Sequence, residues 1–141
     1  MRTKTLKAEP FVGRAGRFLD DMLSRVGLTR GQVFVTNSVK CRPPRNRAPR
    51  RDELQTCRAY WLDRQIDLVQ PRLVVLLGSA AIRQMFGRKP QLSKEHGHVR
   101  AHDGRRFLLA YHPASAMRFP QAGKAMNEDL RVLRRLVAKV V

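Results

Sequence analysis

The five residues Leu73–Leu77 (LVVLL) are all apolar, and they lie between Pro71 and Gly78. A strand with one face in water alternates apolar and polar residues, whereas a strand covered on both faces is continuously apolar. The run therefore predicts a central parallel strand over Arg72–Leu77 that is covered on both faces. Gly78 predicts a turn from this strand into a helix over Ser79–Phe86.

Apolar residues elsewhere in the chain recur at helical or strand-like spacing. The other predicted helices are Arg14–Val26, 52–70, where Asp52 is the expected cap, and Asn127–Val140. The other predicted strands are Gln32–Thr36, His98–Ala101 and Phe107–Ala110. Strands that alternate with helices predict an α/β domain with a mostly parallel sheet. In such domains functional residues lie at the carboxyl ends of the strands.

The chain is strongly basic. It has 141 residues with 29 Lys and Arg against 11 Asp and Glu, which gives a formal net charge of +18. Six basic residues and three prolines fall in the twelve positions of Lys40–Arg51, a composition that excludes a regular helix or a central strand. An extended loop that follows the phosphates of a nucleic acid is the expected structure, and a solvated basic loop without a ligand is the alternative.

Length and composition limit the class of protein further. With 43% hydrophobic residues the chain can bury the core of one domain. The longest nearly apolar run is about half the ~20 residues of a membrane span, and no secretory signal is recognisable, so a cytoplasmic protein without a membrane partner is expected. Reduced thiols or metal ligands are the expected states of the only two cysteines, Cys41 and Cys57.

Four segments together carry a resemblance to a known family. They are PFVGRAGRFLD at Pro10–Asp20, VTNSVKCRPPRNRAPRRDELQTC at Val35–Cys57, LVVLLGSAA at Leu73–Ala81 and YHPASAMRFP at Tyr111–Pro120. In order and spacing they resemble the family 4 uracil-DNA glycosylases. The resemblance implies a three-layer α/β/α sandwich with a mostly parallel four-stranded sheet. It also implies base-excision repair by hydrolysis of the N-glycosidic bond of a flipped deoxyuridine.

Three residues match the uracil-contacting positions of this family. Phe11 matches the aromatic residue that stacks on the flipped base, although it could instead fill the core. Asn37 matches the amide that distinguishes uracil from cytosine, and on its own it would be a turn former. His112 matches the histidine that donates a hydrogen bond to a uracil carbonyl oxygen as charge develops on the departing base, which makes it the catalytic candidate.

The resemblance also implies residues that hold DNA and a cofactor. The candidate phosphate contacts are Lys40, Arg42, Arg45, Arg47, Ser115 and Arg118. Cys41 and Cys57 match the second pair of cysteine ligands of a four-iron four-sulfur cluster. Such a cluster takes four thiolates, and this chain has two cysteines. Free structural cysteines are therefore expected, with a cluster shared between two chains as the alternative.

The family's N-terminal catalytic motif and first cysteine pair have no match in MRTKTLKAEP, the residues before Phe11. The expected organisation is a divergent leader over residues 1–9 and a shortened glycosylase-like domain over residues 10–141. Two functions follow. One is a uracil-DNA glycosylase whose partner is uracil-containing DNA, and the other is a catalytically impaired or inactive DNA-binding remnant of that family. A monomer is expected in either case.

Two weaker patterns receive structural explanations. His96, His98 and His102 lack the regular ligand spacing of a metal site and are expected to be ordinary residues of a hairpin. The carboxylates of Asp20, Asp21, Asp52 and Glu53 lie close to many arginines and are expected to form surface ion pairs rather than to act in catalysis.

Overall fold

The structure, a computed structural model, describes residues 13–36 and 50–140. The helices of these segments are α1 (Gly13–Arg25), α2 (Arg51–Cys57), α3 (Asp63–Val69), α4 (Ser79–Phe86), α5 (Leu92–Glu95), α6 (Pro113–Arg118) and α7 (Pro120–Val140). The strands are β1 (Leu73–Leu77), β2 (Val99–His102) and β3 (Arg105–Ala110). A π-helical segment, Arg58–Leu62, joins α2 to α3, and a short 3₁₀ helix covers Arg30–Gln32.

The three strands of the described residues form one sheet in the order β1-β3-β2. β1 is parallel to β3, with Val75 opposite Leu108, and β2 is antiparallel to β3. The hairpin between β2 and β3 turns at Asp103 and Gly104, whose φ angles of 50° and 76° are both positive, as a tight two-residue hairpin turn requires. The α/β class is confirmed, but the mostly parallel four-stranded sheet is wrong for this part of the chain, which has one parallel and one antiparallel pair.

Alternate residues of β1 and β3 face two different helical layers. Val75 and Leu108 contact a cluster formed by α1, α6 and α7. Leu76 and Leu109, one position further along each strand, belong to the opposite cluster, which includes Ile82 of α4 and against which Ile66 of α3 packs. Because both faces of the strands are covered by helices, the continuously apolar run is explained and the three-layer α/β/α arrangement is confirmed.

The strand expected at Gln32–Thr36 is absent. Gln32 ends the 3₁₀ helix, and residues 33–36, although described, belong to no strand. Val33 and Val35 still pack against the core on the α1 side of the sheet. The β-branched and aromatic composition that suggested a strand therefore reflects burial rather than sheet pairing.

Several helix boundaries also differ from expectation. α2 begins at Arg51 and its cap is Arg50, so Asp52 lies in the first turn rather than at the cap. α7 begins at Pro120, seven residues before the predicted start, and α6 was not predicted. No helix of the described residues is long and apolar enough to cross a membrane. The proposed boundary between residues 9 and 10 lies outside the described residues.

Candidate active site

The carboxyl ends of β1 and β3 meet at Gly78 and His112. The Gly78 amide donates to the Ala110 carbonyl at 2.8 Å, which extends the β1–β3 pairing by one bond. Gly78 has a φ of 96°, and a Cβ atom added to it would lie 3.1 Å from Cβ of His112. Only glycine adopts this backbone conformation readily, so Gly78 allows the segment after β3 to pass close to the start of α4.

His112 is the N-cap of α6. Its Nδ1 atom accepts a hydrogen bond from the Ala114 amide at 3.0 Å, and Pro113 occupies the first helical turn. Because an amide can only donate, Nδ1 carries no proton, and the proton of the neutral ring is on Nε2. Burial lowers the pKa of His112 below its usual 6.5. At neutral pH the side chain is therefore an uncharged donor through Nε2–H.

A cavity of about 490 Å³ lies beside His112. This volume falls within the range of about 300–1,000 Å³ that small-molecule sites occupy. Its walls are largely apolar and come from α1, residues 32–36, α3, β1, α4 and α7. The cavity has the character of a ligand site, in which an apolar enclosure carries a few polar groups that orient the ligand.

One hydrogen bond holds Thr36, the residue directly before Asn37, in place. The Thr36 hydroxyl donates to Oε1 of Gln65 on α3 at 3.1 Å, and both residues line the cavity. Asn37 follows Thr36 directly in the sequence but lies outside the described residues. The bond thus anchors Thr36 to α3, directly before the amide that is predicted to recognise uracil.

Two candidate phosphate contacts lie on the short helix that His112 caps. Ser115 is half-buried, and its amide donates to the His112 carbonyl at 2.9 Å. Arg118 is exposed, with its guanidinium 5.5 Å from the centre of the Phe119 ring. The structure thus brings Ser115 and Arg118 onto one helix with His112. The remaining predicted site residues, for uracil, phosphate or the cluster, lie outside the described residues. They are Phe11, Asn37, Lys40, Cys41, Arg42, Arg45 and Arg47.

A model of the Uracil DNA glycosylase superfamily matches residues 2–134 of this chain. The type-4 uracil-DNA glycosylase of Archaeoglobus fulgidus is 36% identical over 98% of this chain and 73% of its own length. The chain belongs to the type-4 uracil-DNA glycosylases. The enzyme of the same name from Sulfurisphaera tokodaii is 39% identical over 92% of this chain and 63% of its own length. The type-4 uracil-DNA glycosylase of Pyrobaculum aerophilum is 39% identical over 86% of this chain and 65% of its own length.

The chain spans slightly less than two thirds of the length of two of these type-4 uracil-DNA glycosylases. Its core nevertheless contains two of the four segments that carry the resemblance. LVVLLGSAA forms β1 and the start of α4, and HPASAMR forms the cap and body of α6. The family motifs at the two strand ends are therefore the segments that surround His112.

The cysteines of this type-4 chain do not fit a four-cysteine cluster. Cys57 is the last residue of α2 and is buried, and Cys41 lies outside the described residues. The described segments contain no group of three or more His, Cys, Asp or Glu side chains that could hold a metal ion. Because the sequence has two cysteines in all, it supplies two thiolates where the cluster needs four.

Sequence reasoning missed one buried pair near the site. Nδ1 of His96 lies 2.8 Å from Oδ1 of Asp129, a residue that is only 3% exposed. The two residues are 33 positions apart, so no local pattern connects them. Among the described residues, three of the four carboxylates form the expected surface ion pairs, with Asp20 at 2.6 Å from Arg30 and both Asp52 and Glu53 at 3.8 Å from Arg50.

Proposed function

We propose that this chain removes uracil from DNA. A water oxygen bonds to C1′ of the deoxyribose as the bond from C1′ to N1 of uracil breaks, and the bonding electron pair leaves with the base. The departing uracil anion takes up a proton, and an abasic site remains in the strand. The chain is then a hydrolase of N-glycosyl bonds that acts in base-excision repair.

The observation that carries the proposal is the protonation state of His112. A neutral imidazole with its proton on Nε2 donates a hydrogen bond to a uracil carbonyl oxygen, which gains negative charge as the glycosidic bond breaks. The donor is held in place before the substrate arrives because the Ala114 amide and the α6 N-terminus fix the ring. One such fixed donor lowers a barrier by about 3–4 kcal/mol in enzymes that stabilise a developing anion.

Two further residues complete the proposed uracil site. Phe11 stacks on the flipped base, which offsets part of the few kcal/mol required to unstack it from the duplex. Asn37 donates to one polar atom of uracil and accepts from its neighbour, which excludes cytosine. The hydrogen bond from Thr36 to Gln65 supports this assignment because it fixes the backbone next to Asn37.

Phosphate binding is assigned to the basic residues. The net charge of +18 favours a polyanionic partner, and Ser115 and Arg118 lie on the helix that begins at His112. The remaining contacts proposed are Lys40, Arg42, Arg45 and Arg47. No step is routed through an iron–sulfur cluster.

A second candidate is a DNA-binding module without glycosylase activity. The cysteine set supports it, because two thiolates cannot complete the cluster of the family. It shares the charge and the phosphate contacts of the first proposal and differs from it only in the chemistry.

Single-turnover incubation with labelled oligonucleotides separates the two candidates. One oligonucleotide carries a single deoxyuridine, and a matched control carries thymidine at that position. The glycosylase proposal predicts an alkali-labile site at the deoxyuridine and none at the thymidine. A folded chain that binds both oligonucleotides and leaves both intact to alkali contradicts it and supports the DNA-binding module.

A further inference from the structure

Asp129 is a buried carboxyl group with an incomplete set of hydrogen bonds. It lies on α7 and is 3% exposed, and its Oδ1 lies 2.8 Å from Nδ1 of His96. Its Oδ2 is buried and has no hydrogen-bond partner among the described residues. Burial raises the pKa of Asp129, against the opposing effect of the His96 hydrogen bond. A buried polar atom without a partner is costly, so its presence calls for an explanation.

The turn after His96 closes tightly over this carboxyl group. Gly97 has a φ of 79°, and a Cβ atom added to it would lie 2.6 Å from Oδ1 of Asp129. The Gly97 amide donates to the Leu109 carbonyl at 2.7 Å, and the Leu109 amide donates to the His98 carbonyl at 3.1 Å. The turn that holds Asp129 is therefore bonded directly to β3, the strand that leads to His112.

The His96 ring also reaches the residue before His112. Its centre lies 5.7 Å from the centre of the Tyr111 ring, with an angle of 39° between the planes. Tyr111 is half-buried and packs against the core on the α1 side. A continuous series of contacts thus runs from Asp129 through His96 to Tyr111, which is bonded covalently to His112.

We propose that Asp129 and His96 are positioning residues that fix Tyr111 and thereby the backbone from which His112 presents its Nε2–H group. The proposal rests on the function proposed above for His112. Asp129 orients the His96 ring through the hydrogen bond, and the ring in turn limits the movement of Tyr111. Placement matters here because a displacement of about 1 Å at a reacting group can cost a factor of about 100 in rate.

Three substitutions test this proposal against a purely structural role. Asp129→Ala removes the acceptor, whereas Asp129→Asn retains an acceptor oxygen at the position of Oδ1. His96→Asn retains a donor for Asp129 but removes the ring that contacts Tyr111. The matched control is His102→Asn, in a His–Asp pair of the β2–β3 hairpin, where Nε2 of His102 lies 3.3 Å from an exposed Asp103 carboxylate.

We expect Asp129→Ala and His96→Asn to slow single-turnover uracil excision by about tenfold to hundredfold. DNA affinity should stay within severalfold of the parent, because neither residue is among the proposed phosphate contacts. Asp129→Asn should restore most of the rate, and His102→Asn should leave it unchanged. Nitrogen NMR of the imidazoles should show the His112 resonances displaced in the two slow variants only.

Two results would overturn the proposal. One is a loss of rate in Asp129→Ala and His96→Asn that equals the fraction unfolded at the assay temperature, measured by circular dichroism, with the His112 resonances in place. The other is an unchanged rate in His96→Asn, which decides the matter if Asp129→Ala does not fold. If the parent chain excises no uracil, the proposed function fails by itself. The positioning role is then tested by the His112 resonances of His96→Asn. Unshifted resonances contradict this role, and displaced resonances support it.

Discussion

A Cβ atom on Gly78 would lie 3.1 Å from Cβ of His112, so the turn after β1 leaves room for the catalytic candidate only because residue 78 is glycine. We predict that Gly78→Ala destabilises the fold by about 1–3 kcal/mol, since alanine is strained at this backbone conformation. The variant should also displace His112 and shift its imidazole NMR resonances. Urea unfolding and NMR measure the two effects.

Gly87→Ala is the matched control for this substitution. Gly87 also has a positive φ, 73°, but apart from its chain neighbours no described residue has an atom within 4 Å of a Cβ added there. The control should lose about 1–2 kcal/mol from backbone strain alone and leave the His112 resonances unchanged. Displaced resonances in both variants, or in neither, would contradict the close packing of Gly78 against His112.

The second prediction separates the capping role of His112 from its proposed chemistry. His112→Ala removes the acceptor for the Ala114 amide and should cost about 0.5–2 kcal/mol of stability. His112→Asn should stay close to the parent, because asparagine is among the best N-cap residues. Urea denaturation of both variants measures the difference. Equal losses in the two variants would show that the cap does not stabilise α6.

The third prediction concerns pH. Burial holds the pKa of His112 in the folded chain below 6.5, its usual value and the one expected in the unfolded chain. As the pH falls below about 6.5, the unfolded chain gains a proton here before the folded chain does, so unfolding becomes easier. The stability that a neutral His112 contributes is thus complete above this pH and is lost as the pH falls through the folded pKa.

Urea unfolding of the parent and of His112→Asn at about pH 7.5 and about pH 5.5 tests this sign. The variant has no titrating group at position 112, so its stability relative to the parent should improve at the lower pH. A relative stability that worsens on acidification would mean that His112 gains, rather than loses, affinity for protons on folding.

The fourth prediction concerns the salt dependence of DNA binding. If the basic residues neutralise about four to six phosphates, the logarithm of the affinity for duplex DNA should fall with the logarithm of salt concentration with a slope of about −4 to −5. Arg118→Gln should make this slope shallower by about one. The control is Arg88→Gln, which removes an arginine that is already paired with Glu95 and should leave the slope unchanged. An affinity that does not respond to salt would exclude phosphate contacts as the basis of binding.

Local patterns in the sequence predicted the centre of the fold well. The apolar run of β1 indicated burial on both faces, and Val75 and Leu76 do face opposite helical layers. Asp103 and Gly104 tolerate the positive φ angles that their tight turn requires. These features depend on residues that are neighbours in the chain, which is why a single sequence is sufficient to find them.

α6 and the first seven residues of α7 were missed because their prolines and glycine resemble helix breakers. Pro113 and Pro120 instead occupy the first positions of α6 and α7, where proline loses no helical hydrogen bond. Gly123 lies inside α7, and a Cβ atom there would be 3.1 Å from the Ala116 carbonyl oxygen. Its small size serves the contact between the two helices, and that contact cannot be recognised from one helix alone.

The candidate site was predicted in part. His112 was found through its motif, but its tautomer depends on the Ala114 hydrogen bond and its pKa on burial, and only coordinates provide these. The pair of His96 and Asp129 has no local signature, because folding brings together the C-cap residue of α5 and a residue of α7. The assignments of Phe11 and Asn37 stay predictions.

The most direct test of the central claim compares single-turnover uracil excision by the parent, His112→Asn and His112→Ala, at enzyme in excess over a deoxyuridine oligonucleotide. Alanine has no donor, and the shorter asparagine side chain places no N–H group at the position of Nε2, so we predict that both variants lose about a hundredfold to a thousandfold in rate. We expect this loss even though His112→Asn keeps the cap and the stability of the parent. Excision by His112→Asn at the parental rate would contradict the account, because the stable α6 cap would then suffice without the donor.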